Sequence, residues 1–315
     1  MTPDQVGSHL ERYLDLRRAL GFKMDGQISR LRDFVAFIAA RRLDGPEMAQ
    51  GALDWACSSS RTCGPAGQAH RLSLVRLFLA HLRAIDSQVR VPESRLLPRS
   101  VRPKPHIYSD GEIEALVTAA TSLGPRGSLR PHTYTTLIGL LVSCGLRASE
   151  ALRLRVSKVE LEAHPPLLRI LETKFRKSRV VPVHPTTATA LRGYAGQRRR
   201  LANGPSDYFF VSHRGGPVTY EAAKQTFRLL ARRLGIRGPV GPGANLHGLR
   251  HTFVVRRMIA WYREGLDVHG HMPELSVYLG HLRPEDTYWY LTATPELLGA
   301  AAQRFESYAT HGGGQ

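Results

Sequence analysis

Acidic side chains are scarce in this chain. Its 315 residues hold 26 Asp and Glu against 44 Lys and Arg, a formal net charge of +18, with an isoelectric point near 10.5. A field of that strength calls for an anionic partner, and nucleic acid is the first candidate. The excess runs through the whole chain: 15 basic and 10 acidic residues in the first hundred, 29 and 16 in the remainder. An arginine-biased composition would produce part of this, but both halves touching one long polyanion accounts for all of it. Cysteine is scarcer still, with only Cys57, Cys63 and Cys144. No two stand two residues apart as metal ligands do, and an odd, scattered set makes no disulfide framework. Long apolar runs are missing too; "LIGLLVSC" is too short to span a bilayer. Asp4 and Glu11 interrupt the start with no apolar run after them, so no signal peptide is expected. Together these absences predict a reduced, cytoplasmic protein with no membrane contact.

What is present divides the chain. "VGSHLERYLDLRRALG" (6–21) and "ISRLRDFVAFIAARR" (28–42) carry apolar residues at helical spacing, and "AHRLSLVRLFLAHLRAI" (69–85) shows a broad apolar face. Residues 1–92 therefore read as a small unit of four or five helices. "PESRLLPRSVRPKPHIY" has four prolines and no sustained period, which makes 93–108 the linker. A second domain over 109–292 opens on Ser109 and Glu112 at capping-box spacing. "YTTLIGLLVSC" is a buried helix stopped by Gly145, and the β-rich runs of 166–183 flank a basic turn as a hairpin. The last segment, 293–315, is a helix and tail: Thr294 caps it, Pro295 takes the first turn, and Leu297, Leu298, Ala301 and Phe305 form an apolar face. That face suits a neighbouring protomer or its own domain.

Four short stretches carry the chemistry. In "CGLRASEALRL", Arg147 sits at a helix start, where the dipole disfavours a cation. Either an anion compensates it or Glu150, one turn on, pairs with it. In "ANLHGLRHTF", Asn245 caps a helix and sets His247 and Arg250 on one face. The chain has six lysines in all, yet Lys174 and Lys177 both fall in the turn "TKFRKSR". Arginine would serve for charge alone but cannot release a proton near neutrality, so a retained lysine fits a proton donor. In "LGHLRPEDTYWYL", His281 precedes a helix bearing Tyr288 and Tyr290. Two residues turn a helix by roughly 200°, so only one tyrosine can share a site with His281, and the other belongs to packing. Arginine forks grip non-bridging phosphate oxygens, a tyrosine can attack covalently, and histidines move protons; together the set suits phosphoryl transfer.

The C-terminal two-thirds resembles the tyrosine recombinase, or phage-integrase, family, which includes the Xer recombinases. "GLRASE", "TKFRKSR", "HGLR" and "LGH" arrive in the family's order, and Tyr290 lies nine residues beyond His281, in "TYWY" beginning at Thr287. The resemblance implies a mainly α fold with a small β-hairpin sheet. It also implies a two-domain, C-shaped clamp made of a helical SAM-like core-binding domain and an α+β catalytic domain. Its roles carry over as Tyr290 for the nucleophile, Arg147 and Arg250 for the phosphate clamp, and His247 and His281 for hydrogen bonds to the phosphate. Lys174 becomes the acid for the 5′-hydroxyl, with Lys177 its rival because Phe175 stands where relatives often have Gly, and Glu150 supports Arg147. Arg71, Arg76, Arg176, Lys177 and Arg179 are further candidates for DNA contact.

The resemblance further implies a 3′-phosphotyrosine intermediate and no cofactor, metal or ATP. Its partners would be double-stranded DNA recombination sites and three further copies, a tetramer on two sites that is weakly associated or monomeric without DNA. Accessory recombinases and nucleoid association in a bacterial cytoplasm go with it. The stretch between Arg250 and His281 is longer than the family's pattern, which favours a mobile-element recombinase over dimer resolution. Three readings compete. A zinc site could use His269 and His271, though no Cys or carboxylate completes the spacing. A non-catalytic DNA binder would fit the charge but has no need of Tyr290 or Lys174; a type IB topoisomerase would share the chemistry.

Overall fold

Apolar residues three and four apart wind into helices whose stripes meet, and they do so separately in two units, Met1–Arg102 and Pro103–Gln315. The computed structural model describes all residues except 23, 25, 59–62, 99–104, 172–177, 238–242, 282, 284, 293–296, 300 and 304–315. The first unit packs four helices: α1 (Pro3–Ala19), α2 (Ile28–Ala40), α3 (Met48–Ser58) and α4 (Pro65–Arg83). Leu10, Leu14, Leu31, Phe34, Trp55 and Phe78 fill its centre. Trp55 is buried but not unsatisfied, since its indole N–H donates to Asp33 at 2.9 Å.

The expected linker, 93–108, has described residues at both ends. Val91 and Leu97 pack on the core of the first unit. At the other end, Tyr108 is 1% exposed in the second unit, where its N–H donates to the Thr252 hydroxyl and its own hydroxyl to the Asn245 carbonyl, both at 2.9 Å.

The second unit begins with α5 (Asp110–Thr121), whose Ser109–Glu112 capping box forms as the spacing predicts, and α6 (Arg130–Cys144). The short α7 (Ala148–Leu152) leads into a three-stranded antiparallel sheet ordered β1 (Val159–Glu160), β2 (Leu167–Ile170), β3 (Arg179–Pro182). Leu168 pairs with Val181 and both face the core, while Arg169 points outward to an ion pair with Glu160. The chain then runs through α8 (Pro185–Leu201), α9 (Tyr220–Arg233), α10 (Leu246–Arg263), α11 (Val268–Leu279) and α12 (Glu285–Tyr288). A 3-10 turn, Trp289–Thr292, follows, and residues 297–299 and 301–303 are helical. The long stretch between Arg250 and His281 is thus absorbed by the 18 residues of α10 and the whole of α11. Of the C-terminal apolar face, Leu297 is 2% exposed and Leu298 is 62% exposed; Thr294, Pro295 and Phe305 lie outside the described residues. Among the described residues no helix is long and apolar enough to cross a membrane.

Candidate active site

Two helix ends build the site. α6 stops at Gly145 with φ 58° and α11 at Gly280 with φ 67°, left-handed conformations that glycine adopts without strain. Neither position has room for a side chain: a Cβ would stand 2.3 Å from Phe253 at Gly145 and 2.7 Å from the Arg179 guanidinium at Gly280. The turned chain aims terminal carbonyls at cations. Arg250 donates to the Gly145 carbonyl at 2.7 Å and to that of Leu279 at 2.8 Å. Arg147 reaches the Gly280 carbonyl at 3.3 Å, and Arg179 that of Tyr278 at 2.8 Å. The negative ends of both helix dipoles thus face guanidinium groups.

Arg147 occupies the N-cap of α7 and Glu150 the third position after it. Glu150 accepts from the Arg147 N–H at 3.0 Å and from its guanidinium at 2.8 Å. It also accepts from both terminal nitrogens of Arg179, at 3.1 and 2.8 Å. Burial alone would raise the Glu150 carboxyl, but the hydrogen bonds and charge of Arg179, helped by Arg147, hold it down at about 2. The Arg250 guanidinium is lowered to about 10, chiefly by burial and then by the charge of Arg147. The Tyr290 phenol and Glu150 act in the opposite sense. His281 is lowered to about 4 by burial and by Arg250 and Arg147.

Helix α12 gives way to the 3-10 turn between the two tyrosines, and they part as the geometry requires. Tyr290 is 3% exposed. Its ring lies between two imidazoles, 4.8 Å from His251 and 6.1 Å from a parallel His281. Tyr288 turns away but does not enter packing as expected: it is 38% exposed, stacked only on His269 at 6.1 Å.

Arg147, Glu150, Arg250, His281 and Tyr290 are therefore drawn together from four elements. His247 stands exposed on the first turn of α10, whose other residues are buried, and its ring lies 4.6 Å from His251. Lys174, Arg176 and Lys177 lie outside the described residues. Three arginines expected at DNA are engaged within the protein instead. Arg179 has an 11% exposed side chain held by Glu150 and Tyr278. Arg71 lies over the Trp55 ring at 3.7 Å and donates to the Trp55 carbonyl, and Arg76 donates to the Pro92 carbonyl at 2.7 Å. A long basic side chain can bury its stem along the protein or stand free, and charge counting does not separate the two. The residue missed in the sequence is His251; its place one turn after His247 was the available signal.

Residues 108–296 match the model of the phage integrase family. The chain belongs to that family. Its relatives include two Sinorhizobium fredii proteins provisionally named as integrases/recombinases, y4rB and y4rE. The first is 39% identical over 94% of this chain and 96% of its own, the second 38% over 95% of each. The tyrosine recombinase XerD of Pseudomonas putida is 32% identical over 60% of this chain and 61% of its own. Among solved structures, the Tn1549 transposon integrase in complex with transposon right end DNA covers 98% of this chain and 100% of its own, with a TM-score of 0.69 and 16% identity. A lambda integrase dimer bound to a core site covers 90% and 96%, with a TM-score of 0.62 and 15% identity. These likenesses show the shared fold. This tyrosine recombinase is thus a site-specific DNA breaking-and-rejoining enzyme, mainly helical with a small antiparallel sheet.

Proposed function

We propose that Tyr290 attacks a DNA phosphodiester held by Arg147 and Arg250. The new bond joins the phenolic oxygen to phosphorus, the P–O5′ bond breaks, and the departing 5′-oxygen takes its proton from Lys174. A 5′-hydroxyl from a second duplex then attacks the 3′-phosphotyrosine, which restores the phenol and joins the strands. His247 hydrogen-bonds the phosphate through both steps, and His281 joins it once the arriving phosphate displaces the Arg250 contact and His281 Nε2 carries a proton. Bond energy is conserved, so neither ATP nor a metal ion enters.

The observation that carries this reading is the position of Tyr290, buried with its ring stacked 6.1 Å from His281, whose Nε2 in turn lies 2.9 Å from the Arg250 guanidinium. Arg147, with its side chain 28% exposed, offers the open edge at which a phosphate would arrive. Two cations and a nucleophile within one cluster are what an in-line displacement at phosphorus needs, because charge accumulates on the non-bridging oxygens. In the cytoplasm four protomers would act on two double-stranded sites, two cutting while two wait, with the recombination serving a mobile element. The long α10–α11 segment, a departure from the Xer pattern, supports that role.

The test uses nicked duplexes tiled across the DNA flanking the gene. Wild-type protein should become covalently attached to at least one of them and Tyr290→Phe to none. Attachment that survives in Tyr290→Phe would refute the assignment.

A further inference from the structure

We infer that Arg179 is a positioning residue: it ties the strand leaving the Lys174 segment to the phosphate clamp by fixing Arg147 through Glu150. The inference rests on the reading that Arg147 grips the scissile phosphate and Lys174 protonates the leaving oxygen.

The two oxygens of Glu150 receive four donors, and each oxygen takes one from each arginine. Oε1 accepts from Nη1 of Arg147 and Nη1 of Arg179; Oε2 accepts from the backbone N–H of Arg147 and Nη2 of Arg179. The carboxylate is thereby held between the fork of Arg179 and the one guanidinium nitrogen and backbone N–H of Arg147. Without Arg179, the Arg147–Glu150 pair would be an i,i+3 contact within the five residues of α7, too short a helix to hold its own geometry. The third attachment comes from outside α7, and it is deep: the side chain of Glu150 is 6% exposed and that of Arg179 is 11% exposed.

Arg179 is placed to transmit position. It opens β3 and pairs with Ile170, the last residue of β2. Residues 172–177, with Lys174 among them, connect these two strands. The same side chain donates Nε to the Tyr278 carbonyl near the end of α11, and a Cβ at Gly280 would stand 2.7 Å from its Nη1 and displace it. His281 is the next residue. One guanidinium thus joins the foot of the Lys174 segment to the α7 turn bearing Arg147 and to the helix end preceding His281. Arg147 must hold the non-bridging oxygens in a fixed position while Tyr290 attacks, so a rigid strut behind its guanidinium serves the reaction directly. An arginine that instead met DNA would keep a free edge, and all three guanidinium nitrogens of Arg179 are engaged.

The experiment is a double-mutant cycle with the full chain, on whichever nicked duplex gives the wild-type adduct. Arg179→Met should slow single-turnover adduct formation about 100-fold at saturating protein, as a misplaced catalytic group does. Duplex binding should stay within about threefold of wild type, because no phosphate contact is lost. In an Arg147→Lys background, where the fork being positioned is already gone, the same change should slow cleavage by less than about threefold. Arg179→Lys keeps the charge but not the fork, so it should resemble Arg179→Met; it decides the matter by the same criteria if Arg179→Met fails to fold. Independent, multiplying effects of positions 147 and 179 would overturn the inference. So would a wild-type cleavage rate in Arg179→Met, or a loss of duplex binding in step with the loss of cleavage. Absence of any wild-type adduct would sink the reading beneath it, and the strut with it.

Discussion

His281 Nε2 lies 2.9 Å from Nη2 of Arg250, and its Nδ1 lies 2.7 Å from the Thr287 hydroxyl. A guanidinium only donates, so Nε2 must accept and the imidazole must be neutral, with its proton on Nδ1 and directed at Thr287. The depressed value of about 4 has the same origin: burial and two neighbouring arginines oppose a third positive charge.

Acid stability follows from that neutrality. The folded value is about 4 and the ordinary value 6.5, so between them an unfolded chain binds a proton that the folded site refuses. This contribution is intact above about pH 6.5 and is lost as pH falls towards 4. Glu150 adds a second loss lower down, from its ordinary 4.5 towards 2. Thermal melts across this range should show the stability of His281→Gln falling less steeply than wild type between pH 6.5 and 4, with the lower arm retained. Equal slopes in the upper window would remove His281 from the acid response.

The two clamp arginines should differ in what they do for stability. Arg250 is 1% exposed and satisfies two main-chain carbonyls; Arg147 has a 28% exposed side chain, and Arg179 can hold Glu150 without it. Losing Arg250 leaves buried acceptors unpaired, at about 3 kcal/mol, against about 1 kcal/mol for Arg147. Urea unfolding midpoints should therefore fall in the order wild type, Arg147→Met, Arg250→Met. The reverse order would contradict the burial argument.

Much of this was legible in the sequence because it depends on local pattern. Asn245 caps α10, Gly145 ends α6, and Ser109 and Glu112 close a capping box, each through bonds within three or four residues. The Arg147–Glu150 pair is local in the same way. The partners of Arg179 are not: Glu150 and Tyr278 lie 29 and 99 positions away, and a basic residue beside a basic turn looks the same whether it faces DNA or a buried carboxylate. Burial of Tyr108 and exposure of Tyr288 depend likewise on which layers exist outside the local element, and periodicity does not record that.

Gly280→Ala tests how tightly the helix end is packed. The substitution imposes a Cβ at φ 67° and 2.7 Å from the Arg179 guanidinium, so both backbone and fork must move. A cost of about 1–3 kcal/mol is expected, together with slower cleavage, because Arg147, Arg179 and His281 all meet at this turn. Thermal denaturation and adduct kinetics should fall together; unchanged kinetics would show that the turn does not hold the site.

Lys174→Ala probes the leaving group. Cleavage of an ordinary phosphodiester should slow far more than cleavage of a 5′-bridging phosphorothiolate, whose thiolate departs without a proton. Equal slowing of the two would take Lys174 out of the acid role and point to Lys177.

The most direct test of the whole account is peptide mapping of the covalent adduct trapped on a nicked duplex. The account predicts a single attachment through phosphate to the oxygen of Tyr290, even though Tyr288 is far more accessible. Attachment at Tyr288, at any other side chain, or the absence of an adduct from catalytically competent protein would contradict it.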